Sequence, residues 1–117
     1  MARYMLLIYG NEAASSGMSD AQIKEVGDAY EVFTQSIKGS GNYMDGDPFL
    51  PTTTAVSVRV RDGKTETATG PADVVKEQLT AYYKVEADSP EEAVEMASRI
   101  PGAGWGTIEV RPVWQFD

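Results

Sequence analysis

Cysteine and histidine are both absent from this chain of 117 residues, and the two absences remove much of the usual protein chemistry. Without cysteine there is no disulfide, no thiolate nucleophile and no cysteine-based metal site. Without histidine the commonest general base at neutral pH is missing, as are the imidazole metal ligand and every histidine-containing triad. Any proton transfer falls to carboxylates, Lys, Tyr, Ser or Thr. Basic residues are also few: ten against eighteen acidic ones leave a net charge of −8. That charge repels phosphate backbones and anionic membrane surfaces, and no local basic cluster offsets it, so neither nucleic acid nor membrane is expected as a partner. Long apolar runs are missing too. The longest near the start, Tyr4 to Tyr9, falls far short of the ~20 residues that span a bilayer, and no signal-peptide cleavage pattern follows it. A cytoplasmic protein is the expectation.

Phosphate-loop, nucleophile-elbow and dinucleotide fingerprints are absent, and no cofactor is implied. Asp45 and Asp47 in "MDGDP" resemble a fragment of an oxygen-rich metal loop but lack its remaining ligands, so no metal is expected.

What the sequence does contain is the pattern of one globular domain, residues 1–117, with an ordinary hydrophobic fraction of 42% and charged fraction of 24%. "YMLLIY", Tyr4 to Tyr9, reads as a strand buried on both faces. After a flexible "GNEAASSG", Ser19 and Gln22 have the spacing of a capping box. Ile23, Val26, Tyr30, Phe33 and Ile37 then form an apolar helical stripe, and Gly39 and Gly41 provide a stop. "NYMDGDPFLP" reads as a short irregular strand. "AVSVRVR", Ala55 to Arg61, turns through Asp62-Gly63 into a returning strand from Lys64 to Ala68. Leu79, Ala81, Tyr83 and Val85 alternate as one row of a further strand. Ser89-Pro90-Glu91-Glu92 starts a second helix, with Ala93, Ala97 and Ile100 on its apolar face and Val94 and Met96 at the margins. "GTIEVRPVW" closes the chain as a strand with Ile108 and Val110 on one side and Glu109 and Arg111 on the other.

This order predicts an α+β, ferredoxin-like domain, with two helices on one face of a mainly antiparallel sheet. The first strand is apolar on both sides although helices can cover only one. The uncovered face is therefore expected to meet a second subunit or enclose a cavity, which predicts a homodimer.

"YMLLIYG", "TTAVSVRVRDGKT", "GPADVVKEQLTAYYKVEADSPEEAVEMASRIP" and "GTIEVRPV" occur in this order across nearly the whole chain. Together they resemble the YCII-related domain family, in its DGPF-motif branch. The resemblance implies a dimeric α/β-barrel of ferredoxin-like subunits with a cleft between sheet faces. Some relatives in the wider family are similar to small lyases or dehalogenases with a His-Asp pair, and that pair has no counterpart here. At the motif itself the chain reads Thr69-Gly70-Pro71-Ala72 where the pattern has Asp-Gly-Pro-Phe, while Lys76, Glu77, Gln78, Leu79 and Tyr83 match the branch.

Several residues are candidates for a site, each with a plainer structural alternative. Glu77 is a carboxylate that burial could turn into a general base, and Tyr83 a phenol for proton transfer; the alternatives are a solvated charge and a core aromatic. Arg59 and Arg111 can bind a carboxylate bidentately or sit in exposed ion pairs. Gly70 and Pro71 shape a loop, and Lys76 adds a cation beside it; as punctuation they mark only a turn. The leading expectation is a non-catalytic or degenerate dimeric domain that binds a small anionic or organic ligand or a protein partner. The alternatives are a small lyase or isomerase using a carboxylate or tyrosine, and a regulatory interaction module.

Overall fold

The computed structural model of the chain describes residues 1–116. Its main sheet is organised by β1 (Ala2–Gly10), whose alternation sends Tyr4, Leu6 and Ile8 into the core while Met5, Leu7 and Tyr9 turn to the opposite face. β1 pairs antiparallel with β5 (Gln78–Ala87) on one side and β6 (Thr107–Pro112) on the other, and β2 (Tyr43–Pro48) pairs antiparallel with β5. The strand order is thus β2-β5-β1-β6, the order of a ferredoxin-like sheet. The chain is α+β, as its pattern predicts.

Among the described residues three α-helices occur rather than the two expected. The stretch read as flexible contains a short α1 (Glu12–Ser15), because the Asn11 side chain caps it through the N–H groups of Ala13 and Ala14. α2 (Asp20–Gly39) begins at Ser19 with the predicted capping box. It ends before Gly41, which takes the left-handed conformation at φ 83°. α3 (Pro90–Arg99) starts at the Ser89 cap. Phe33 and Ile37 from α2 and Ala93, Met96 and Ala97 from α3 pack with Tyr4, Leu6, Ile8, Tyr83 and Val85 in one core. The helices therefore lie over one face of the sheet.

Three details depart from the sequence reading. Met96 is 1% exposed and Val94 is 56% exposed, so Met96 belongs to the buried stripe of α3 and not to its margin. The reason is its position one turn before Ile100 and one turn after Ala93, both fully packed. Ile23, at the N-terminal end of the α2 stripe, is 54% exposed, because the first half of α2 stands away from the sheet. Leu79 leaves the inner row of β5: a register break opposite Ile8 and Tyr9 pairs Leu79 with Tyr9, skipping Thr80.

β3 (Val56–Arg61) and β4 (Lys64–Thr69) form a separate two-stranded sheet. Asp62 and Gly63 both have positive φ, 51° and 75°, as a two-residue hairpin turn requires. Val56, Val58 and Val60 remain well exposed. The radius of gyration is 16.2 Å, where a compact chain of this length would have about 13 Å; the hairpin stands out from the body. No helix among the described residues is long and apolar enough to cross a membrane.

The buried stripe of α3 makes a direct prediction. Met96→Ala should destabilise the fold by about 2–5 kcal/mol, whereas Val94→Ala should stay within about 0.5 kcal/mol of the parent. Urea unfolding followed by circular dichroism measures both.

Candidate functional site

Because α2 docks through Phe33 and Ile37, its N-terminal half leaves a groove between helix and sheet. The groove has two lobes that share Tyr30 and Thr80. One, of about 490 Å³, lies among Ile8, Met18, Val26 and Trp105, with Gln22 and Glu25 at its edge. The other, of about 450 Å³, lies among Gly27, Pro48, Ala81 and Tyr83, with Thr34 and Asp47. Each volume is in the range of small-molecule sites, and the mixture of apolar walls with a few polar groups is typical of them.

Local sequence creates each part of this lining. Gly27 presents no side chain to the second lobe, and a Cβ built there would meet nothing within 4 Å. The break in register beside Ile8 turns Thr80 into the groove, where its hydroxyl donates to the Ile8 carbonyl at 3.2 Å. Tyr30 is fixed from the opposite side: the Gly102 N–H donates to its hydroxyl oxygen at 3.1 Å. A Cβ on Gly102 would come within 2.7 Å of that oxygen, so a larger residue there would push the phenol aside. Since Tyr30 Oη accepts this bond, its own hydrogen is available to donate into the groove.

Burial pushes the Tyr30 phenol above its ordinary value, against the opposing influence of the Gly102 N–H. Tyr83 is also raised by burial, and its hydroxyl is paired with Thr34 Oγ1 at 2.7 Å. Both phenols are therefore neutral hydrogen-bonding groups at physiological pH. A phenol with a raised pKa is a poor base.

The residues singled out in the sequence fall in separate places. Tyr83 lines the groove from the core side, with its ring edge-on to Phe33 and Tyr43. Arg111 lies on the other face of the sheet, where its Nη1 meets Glu109 at 2.8 Å and that contact raises its pKa further. Glu77 is half-buried and accepts a hydrogen bond from the Thr107 hydroxyl at 2.7 Å. Gly70, Pro71 and Arg59 lie at and beside the hairpin root: Gly70, at φ 106°, donates to Ala55 and accepts from Ser57, while Arg59 reaches the Ala72 carbonyl at 3.4 Å. Lys76 is exposed in the connection between β4 and β5. Tyr83 and Arg111 thus cannot act on one ligand within a single chain, because the sheet separates them.

Sequence reasoning missed Tyr30, Thr80, Gly27 and Trp105. Tyr30 was legible only as one member of the helical stripe. Gly27 was the available signal, a helix-weakening residue beside that stripe.

On the open face, the Tyr82 hydroxyl donates to Asp45 Oδ2 at 2.9 Å and lies 3.5 Å from Asp47 Oδ2. The hydrogen bond to Asp45, reinforced by the charges of both carboxylates, pushes the Tyr82 phenol up to about 12. No third carboxylate joins this pair as a metal-binding group among the described residues.

The chain matches the family model described as YCII-related domain over residues 2–117. It is also 29% identical over 112 residues to "Uncharacterized protein R00369" of Rhizobium meliloti (strain 1021), an alignment covering 94% of this chain and 90% of that protein.

The Tyr82 contact predicts an alkaline signature. In the fold the neutral phenol is favoured, so its contribution to stability is complete below about pH 10 and lost as pH rises through about 12. Ultraviolet titration of the tyrosines should show one phenol ionising near pH 12, and Asp45→Asn should bring that transition down toward 10.

Proposed function

We propose that this chain, which belongs to the YCII-related domain family, is a dimeric binding domain that holds a small, neutral, largely apolar organic molecule beneath α2. The observation that carries this reading is the Tyr30 hydroxyl: anchored by Gly102, kept protonated by burial, and directed into an apolar groove that spans both lobes. Such a donor recognises a carbonyl or ether oxygen while the walls take the hydrocarbon part. Glu25 at the edge of the first lobe disfavours an anion. An aryl ketone has the required chemistry.

The second subunit in this reading packs on the open face of the sheet. Met5, Leu7 and Tyr9 form a half-buried apolar row there, with Arg3 opposite Glu86 and Lys84 opposite Asp45 across the strands. A twofold axis over this row would place the same residues against each other and complete a dimeric α/β-barrel. A catalytic reading has one point in its favour: Glu25 and Tyr30 share a lobe of the groove, a carboxylate and a phenol in one cavity. Turnover of any bound ketone that is lost in Glu25→Gln would establish it.

Two experiments test the proposal. Acetophenone-type probes should raise Tm and quench Trp105, which lines the first lobe; at 100 times Kd the stabilisation is about 2.7 kcal/mol. Gly27→Leu should fill the second lobe, abolish the response of probes that reach it, and leave the fold at least as stable, since leucine is a better helix former by up to ~1 kcal/mol. Tyr30→Phe should weaken binding up to about tenfold. An unchanged response in Gly27→Leu and Tyr30→Phe would reject the groove as the site. For the dimer, light scattering at micromolar concentration should give twice the chain mass, and Leu7→Glu should give a folded monomer.

A further inference from the structure

The hairpin β3–β4 is anchored firmly at its root and uncovered along its length. At the root, the Glu12 carboxylate accepts hydrogen bonds from the Thr52 N–H at 2.9 Å and the Thr52 hydroxyl at 2.7 Å. The Glu12 N–H donates to Gln78 Oε1 at 2.9 Å. Gly70 bonds to Ala55 at 2.7 Å, and the Ser57 hydroxyl bonds to the Gly70 carbonyl at 2.7 Å. These contacts fix the angle at which the hairpin leaves the body.

Beyond the root the arrangement changes. Val56 pairs with Thr69, Val58 with Thr67 and Val60 with Thr65, so one face of the hairpin is a flat row of β-branched side chains. The valines of that row are 59–63% exposed. An isolated two-stranded hairpin is marginally stable in water at best, and an uncovered apolar face marks a surface that meets another molecule.

Two observations identify the occupant as a second copy of the chain. The first is continuity. Pro71 and Val75 line a cleft of about 740 Å³ with Phe49, Leu50, Leu79 and Tyr9 of the open sheet face, and the same two residues border a second depression with Thr69, the cross-strand partner of Val56. Sheet face, cleft and hairpin thus form one continuous apolar surface. The second is charge. Arg59, Arg61 and Lys64 against Asp62 and Glu66 give residues 56–69 a net charge of +1, leaving −9 on the rest of the chain. A positive arm on an acidic body reduces the repulsion between two copies as it approaches.

We propose that the β3–β4 hairpin is an intersubunit arm, whose Val56–Val58–Val60 face packs on the second copy and extends the interface that begins at the open face of the sheet. The partner's identity rests on the dimeric reading above; the arm does not depend on the groove beneath α2.

The absence of native cysteine makes the test clean. Val58→Cys and Arg59→Cys, each labelled with acrylodan, place a polarity-sensitive probe on the two faces of β3. At concentrations where the protein is dimeric, the Val58 label should emit blue-shifted light and lose the shift on dilution, while the Arg59 label should stay in water. In sedimentation equilibrium, Val58→Asp should weaken dimerisation at least about 100-fold, with an unchanged circular dichroism spectrum, since no hairpin residue belongs to the core. If Leu7→Glu breaks the dimer while Val58→Asp dimerises like the parent and the Val58 label stays wet at every concentration, the arm is refuted and the sheet-face dimer stands. A parent protein that is monomeric at every concentration refutes both.

Discussion

The docking of α2 onto the sheet through its C-terminal half is the contact on which the remaining architecture depends. Phe33 and Ile37 sit in the same core as Leu6, Tyr83 and Val85, and this packing sets the height and angle of a helix of 20 residues. The first half of the helix then has nowhere to collapse. Tyr30 reaches Gly102 on the far side and holds that half away from β1, and Gly27 leaves space where a larger side chain would have filled it. A helix pressed flat against the sheet along its whole length would have a larger core and no groove.

The same economy of burial governs the other side of the sheet. Strand alternation divides the apolar residues of β1 between two faces, and helices cover only one of them. The row Met5, Leu7 and Tyr9 is therefore left with polar neighbours at its flanks and no layer above it. The cleft at Phe49 and Leu79 and the valines of the hairpin continue this surface. The Tyr82–Asp45 pair and the Arg111–Glu109 pair lie on the same open face, where charged groups retain contact with water and stabilise little.

Much of this fold was legible in the amino-acid order because it is specified locally. Ser19 and Ser89 cap their helices through bonds to residues three positions on, and Asp62-Gly63 sets its own turn. The errors occurred where a distant element decides the outcome. Met96 is buried because β-strands lie beneath its side of α3, and Leu79 changes face because β1 pairs with β5 through a break in register. The candidate site was less legible still. Tyr83 was singled out and does line the groove, but Arg111 lies across the sheet from it, and Gly70 and Pro71 proved to form the root of a hairpin.

The sequence by itself determined the order of the strands and of the two longer helices, the serine caps and the hairpin turn, the two-sided apolar character of the first strand, and the exclusion of histidine and cysteine chemistry. Each of these follows from residue type and short-range periodicity. The tertiary structure alone decided that Tyr30, Thr80, Gly27 and Trp105 share one groove and that the valine row stands clear of the core. The physical reason is that these neighbours come from separate elements of the chain, and only packing brings them together: the groove is the gap beneath a partly docked helix, and a gap has no signature in a one-dimensional pattern.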